Sequence, residues 1–218
     1  MNRKQAKRIF EIEIKDPYNQ NILEYLGVIC SKVCDYGEYN IRSRLSEKSK
    51  KQEHVFCKVL ENSTWRTYTG KIIPAIEAFQ IVSETANEFD WIHTSSSLKI
   101  SVKHSKAGKT IVLKNTITNK SLPKNIDYIF ITTTGTNKTP GVLSIVDYDL
   151  TQTPSARKSI IIKENSSKIM YKINANHIIH HVMYKYIPIP YELKKRICDI
   201  ESISNQETTN LFCDAIRR

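Results

Sequence analysis

GKIIPAIEAFQIVSETANEFDWIHTSSSLKISVKHSKAGKTIVLKNT, residues 70–116, carries two different apolar periods in one run. Ile72, Ile76, Phe79, Val82 and Ala86 recur at steps of three and four, which predicts a helix with one buried face. Glu77, Gln80, Glu84 and Asn87 fall on the other side of that helix. A short strand ending near Asp90 follows. The period then becomes two: Leu98, Ile100 and Val102 alternate with Lys99, Ser101 and Lys103, so one strand face is apolar and Lys103 shares the other with Ser101. A further strand is expected from Lys109 to Lys114.

Downstream, IDYIFITT at 126–133 is a continuous apolar run bounded by Pro123 and Gly135, as in a strand buried on both faces. Val142 to Tyr148 is a second such run, and Ser159 to Lys163 a shorter strand candidate. Upstream, Asn21 to Val33 has helical spacing, with Asp16 and Asn19 available as caps. Residues 9–14, IFEIEI, fit an edge strand or a first helical turn equally well. Tyr191 to Ile200, opened by Pro190, and residues 206–218 read as closing helices. The order of elements predicts one α/β domain over 1–218, a central mixed β-sheet flanked by helices.

Composition narrows the partners. The chain has 218 residues, 40% hydrophobic, with a formal net charge of +11, which favours polyanions and above all nucleic acid. No window approaches a membrane span, and MNRKQAKRIFEIEIK has no apolar signal core, so a cytoplasmic protein is expected. Cys30 and Cys34 lie on an apolar helical pattern and read as small core residues, since no second close ligand pair accompanies them. His177, His180 and His181 lack the glutamate of the zinc-protease pattern and read as ordinary histidines. Arg42, Arg44, Lys48, Lys50 and Lys51 belong to a solvated polar segment, residues 35–53.

Phosphodiester hydrolysis needs an oxygen-ligated divalent metal, a route to deprotonate water, and positive charge near the phosphorus. Asp90 at a strand end offers the first and Lys103, one strand later, the third. Between Asp90 and Asp127 there is no acidic residue, while Lys99, Lys103, Lys106, Lys109, Lys114 and Lys120 crowd the same region. Such a single-sign field suits a surface that tracks phosphates, with Lys99, Lys106, Lys109 and Lys114 as the candidate contacts.

An acid on one strand, a short loop, a strand bearing Ser101-x-Lys103 and a preceding helix with a glutamate together resemble the PD-(D/E)xK nuclease superfamily, type II restriction endonucleases in particular. The resemblance covers about residues 70–133. It implies a restriction-endonuclease-like core, a Mg²⁺-dependent deoxyribonuclease, and catalytic roles for Asp90, Lys103, Glu77 and Ser101. The family's second acid stands where this chain has Ser101, a neutral and weaker ligand. By the resemblance Glu77, with Asp90, then completes the metal site, with Glu84 as the other candidate. A homodimer cutting both strands of a palindromic double-stranded DNA site is the corresponding expectation. Two other functions fit the charge: a non-enzymatic DNA- or RNA-binding module, and a metal-independent base-excising enzyme using residues such as Trp65, Arg66 and Tyr68.

Overall fold

The computed structural model describes residues 1–27, 60–61, 63–82, 89–105, 108–115, 122–133, 135–136, 138–153, 156–162 and 168–184. The ambiguous N-terminal run is a helix, α1 (Arg3–Lys15), capped by the Asn2 side chain, which accepts from the Gln5 N–H at 2.9 Å. Its buried face holds Ala6, Ile9, Phe10, Glu13 and Ile14, the three-and-four spacing that a strand would not produce. Residues 17–27 form a second helix, α2, which begins four residues ahead of the predicted Asn21–Val33 span; 28–33 lies outside the described residues. Asp16 caps it by accepting from the Tyr18 N–H, but Asn19 is buried and bonds the Glu13 and Arg66 backbones instead.

The helix expected over 72–86 is not formed in its described part. The chain makes a hairpin strand β1 (Thr64–Arg66) with β2 (Ile72–Pro74), one helical turn α3 (Ala75–Ala78), and then strand β3 (Phe79–Ile81). Pro74 has no N–H to give and stands at the boundary, and the branched Ile72, Ile73 and Ile81 suit extended backbone. Long-range pairing decides the rest: Phe79, Gln80 and Ile81 pair antiparallel with His93, Ile92 and Trp91 of β4 (Trp91–His93).

The period-two strand forms as read, β5 (Leu98–His104), and β6 (Thr110–Asn115) follows. The apolar runs become β7 (Tyr128–Thr133) and β8 (Gly141–Asp147). After a short helix α4 (Asp149–Gln152) come β9 (Ile160–Ile162), β10 (Lys168–Lys172) and β11 (Ile178–Tyr184). The main sheet has the order β11-β8-β7-β5-β4-β3, with β5 and β7 parallel and its other pairs antiparallel, so the sheet is mixed as expected. The strand expected next in it, β6, belongs instead to a second sheet, β6-β10-β9.

Two cores follow from these layers. On one sheet face Phe10 and Ile14 of α1 and Leu23 and Leu26 of α2 pack on Trp91, Ile100, Tyr128, Phe130 and Ile145. On the other, Ile129, Ile131 and Val146 pack against Ile111, Leu113, Ile169 and Tyr171 of the small sheet. Strand β7 contributes alternate residues to both, which explains its unbroken apolar sequence. Among the described residues the long helices thus lie on one face, and strands cover the other. Gly141 is required beside Tyr184: a Cβ there would sit 2.1 Å from the tyrosine ring, whose hydroxyl donates to the Thr133 carbonyl.

Two histidines tie this fold to pH. His177 is buried against Tyr171, whose hydroxyl lies 2.7 Å from Nδ1, and His180 bonds Gln20. Burial holds both below the usual imidazole range; Asp147 partly opposes this for His177, whereas His181 and Lys15 reinforce it for His180. Burial also pushes the Tyr171 hydroxyl up to about 12. A histidine lowered in the fold binds protons more readily once unfolded, so its contribution is present above the unfolded value of about 6.5 and lost as pH falls below it. The melting temperature should therefore drop between pH 7 and 5, and His177→Gln should flatten that drop; an unchanged slope would remove His177 from it.

Candidate functional site

Asp90 sits immediately before β4 rather than at a strand's end. Its N–H donates to the Ile100 carbonyl, and its own carbonyl accepts from the Val82 N–H, so the residue is fixed between β3 and β5. Trp91 pairs with Ile100, which sets Asp90 opposite Ser101 on a shared sheet face. The contact is direct: Ser101 Oγ donates to Asp90 Oδ2 at 3.0 Å, and the Val102 N–H donates to the same oxygen at 2.6 Å. Ser101 is fully buried, so this hydroxyl acts first as an anchor for the carboxylate.

Lys103 lies two residues beyond Ser101, on the same face, about 7 Å further along the strand. Opposite it in the parallel neighbour is Ile131, as Ile129 is opposite Ser101. Lys99 shares the face too, its ammonium 5.0 Å from the centre of the Phe89 ring while its N–H donates to Asp127. Asp90, Lys99, Ser101 and Lys103 therefore form one polar lane across adjacent strands, beside the second apolar core. Asp90, Lys99 and Lys103 are all partly exposed, and among the described residues no ion pair joins Asp90 to Lys103.

Glu77 does not join them. It is exposed on α3, ahead of Phe79, whereas Asp90 is level with Val82. Three strand residues alone separate those levels by about 10 Å. The reason is the loss of the expected helix, whose turns would have carried a glutamate along the sheet. Glu84 and Lys106 lie outside the described residues, as do Arg42, Arg44, Lys48, Lys50, Lys51, Lys120, the five cysteines and the expected C-terminal helices. Lys109 is exposed just ahead of β6, and Lys114 lies within it.

A second cluster escaped the sequence reading. Glu13, on the inner face of α1 and almost wholly buried, accepts four hydrogen bonds. Trp65 Nε1 donates at 2.6 Å and His93 Nε2 at 2.9 Å to Oε2, while the Tyr68 N–H at 3.0 Å and Ser95 Oγ at 3.3 Å donate to Oε1. His93 Nδ1 meets Ser96 Oγ at 2.7 Å. Burial alone would raise the Glu13 carboxyl, but the His93, Trp65 and Tyr68 donors outweigh it and hold it below the usual range. This arrangement takes apart the Trp65, Arg66 and Tyr68 grouping: Trp65 is a core residue, Arg66 lies over the Tyr18 ring, and Tyr68 is exposed. The signal was in the sequence, because Glu13 shares a helical face with Ile9, Phe10 and Ile14.

A third group pairs charges. Arg3 bridges Asp127 and Asp149, each at 2.7 Å, and Lys7 bridges Asp147 at 2.8 Å and Asp149. Burial and then the charges of Asp147, Glu11 and Asp127 push the adjacent Tyr128 hydroxyl upward. Each of these aspartates is paired with a cation of α1.

Among the described residues no group of three or more His, Cys, Asp or Glu is placed to hold a metal. No helix of the described residues is long and apolar enough to cross a membrane. The chain matches no family model, no curated protein and no solved structure.

Proposed function

We propose that the chain is a Mg²⁺-dependent deoxyribonuclease acting on double-stranded DNA, with Asp90, Ser101 and Lys103 as its working residues. The observation that carries this reading is the convergence of a strand-start carboxylate and a Ser-x-Lys strand on one sheet face, with the carboxylate anchored through Ser101 at 3.0 Å. The strand order adds support: an antiparallel β3-β4-β5 meander extended by a parallel β7.

The donor set suits magnesium, which is commonly held through one or two carboxylates plus waters and substrate phosphates. Among the described residues Ser101 and the Val102 N–H both donate to Asp90 Oδ2, and the Asp90 carboxylate is the group that would hold the cation. When bound, the ion supplies a Lewis acid at the phosphate and a more acidic water. Ser101 and the Val102 N–H fix the carboxylate's rotamer. Lys103 sets an ammonium where negative charge develops on the phosphoryl oxygens, an effect that grows as water is excluded. Lys99 and Lys109 add to the field that holds the DNA backbone. Two copies of the chain matched to a two-fold DNA site would make the cut double-stranded.

Incubating plasmid and mixed-sequence duplex DNA with the chain tests the reading. Cleavage in millimolar Mg²⁺ that stops on adding EDTA is expected. DNA bound but intact in Mg²⁺ would leave a binding protein, and cleavage surviving EDTA a metal-independent enzyme. Glu84→Gln, compared with Glu77→Gln, shows whether a second carboxylate takes part.

A further inference from the structure

Away from the Asp90 lane, on the α1 side of the sheet, a groove of about 460 Å³ opens between α2 and β1. It is lined by Tyr18, Asn21, Ile22, Tyr25, Ser63 and Thr64. Its floor is apolar, since Ile22 is buried and Tyr25 packs against the first core. Its walls carry hydrogen-bonding groups: the exposed Asn21 amide and Thr64 hydroxyl, with Tyr18 Oη and Thr64 Oγ1 in contact at 2.7 Å. Beside it the Arg66 guanidinium lies over the Tyr18 ring, 4.4 Å from its centre, while Asp16 is 3.6 Å from Arg66 Nη1. The β1–β2 hairpin next to it presents Tyr68, Lys71 and Ile72 to solvent.

These features select a ligand. Two tyrosines in the lining favour a planar, π-faced group, and an amide with hydroxyls reads a donor-acceptor edge. Arg66 and Lys71, in a chain of net charge +11, favour an anion. A neutral sugar lacks the charge, and a fatty chain would leave the polar walls unpaired. We propose that this groove captures an unpaired nucleobase of a single-stranded nucleic acid, the base against Tyr18 and Tyr25, its edge on Asn21, and its phosphate towards Arg66. The volume admits one nucleotide and excludes a base pair still stacked in a duplex. The proposal rests on the nuclease reading only in taking nucleic acid as the partner; it needs neither Mg²⁺ nor Lys103.

The test is fluorescence anisotropy in EDTA, with the full chain titrated into a labelled 12-nucleotide single strand and into its duplex. Base stacking on aromatic side chains is strong enough that Tyr18→Ala should weaken single-strand binding about tenfold. Asn21→Trp, which fills the groove from an exposed position, should do the same without touching the core. Duplex affinity should change less than twofold in both variants. Single-strand affinity unaltered in both, or an equal loss on the duplex, overturns the proposal. Competition by adenosine or cytidine monophosphate as effective as by the oligonucleotide would assign the groove to free nucleotides and overturn the single-strand source. Cleavage failing while the groove variants behave as expected would sink the nuclease reading alone.

Discussion

Lys103→Ala should slow Mg²⁺-dependent DNA cleavage by about 10²- to 10³-fold, the effect of removing one preorganised charge from a developing oxyanion. The substitution deletes an ammonium from a partly exposed strand position, so folding should survive it, and circular dichroism can check that directly. DNA affinity should fall little, because the remaining basic side chains carry most of the backbone attraction. Asp90→Asn keeps a side chain able to accept from Ser101 and Val102 but removes the charge that holds the cation. It should abolish cleavage and weaken the Mg²⁺ dependence of any residue of activity. A rate in either variant within a factor of about three of the parent would remove that residue from the mechanism. Loss in Lys103→Ala with unimpaired Asp90→Asn would point to a reaction without the metal.

Glu13→Ala should be the most destabilising single change in the described chain. It leaves the buried Trp65 Nε1, the Tyr68 N–H and His93 Nε2 short of an acceptor. Breaking a buried, hydrogen-bonded pair from one side costs about 3–5 kcal/mol, against about 5–15 kcal/mol for a typical whole domain. At roughly 2–4 °C per kcal/mol for a chain of this size, the melting temperature should fall by about 6–20 °C. Combining Glu13→Ala with His93→Phe should cost less than the sum of the two single changes, since the orphaned imidazole is then gone. A melting temperature within 2 °C of the parent would mean that water or a rearranged side chain replaces the carboxylate.

What could be read from the sequence depended on how local the deciding interactions are. Strand β5 shows its period of two within six residues, and β7 and β8 show themselves as apolar runs because both their faces are covered. The mixed α/β character followed from these. The stretch from Ile72 to Val82 misled because its apolar spacing suits a helix while its pairing partner, β4, lies ten residues downstream, and nothing local announces that pairing. With the helix went the position expected of Glu77. That Asp90 would lie beside the strand carrying Ser101 and Lys103 was legible because two adjacent strands and a short turn set that placement. Glu13 was missed because FEIEI, residues 10–14, alternates as a strand does, and only the helical reading turns one of its two glutamates inward.

Helix α1 is held at both of its ends, by Arg3 and Lys7 on the Asp127, Asp147 and Asp149 carboxylates and by Glu13 on His93, Trp65 and Tyr68. First helices usually fray ahead of the rest of a domain. Here the backbone amides of residues 7–14 cannot open to solvent without breaking contacts to β4, β7, β8 and the hairpin together. They belong with the slowest-exchanging part of the molecule, and a protease that nicks the chain would have to begin elsewhere.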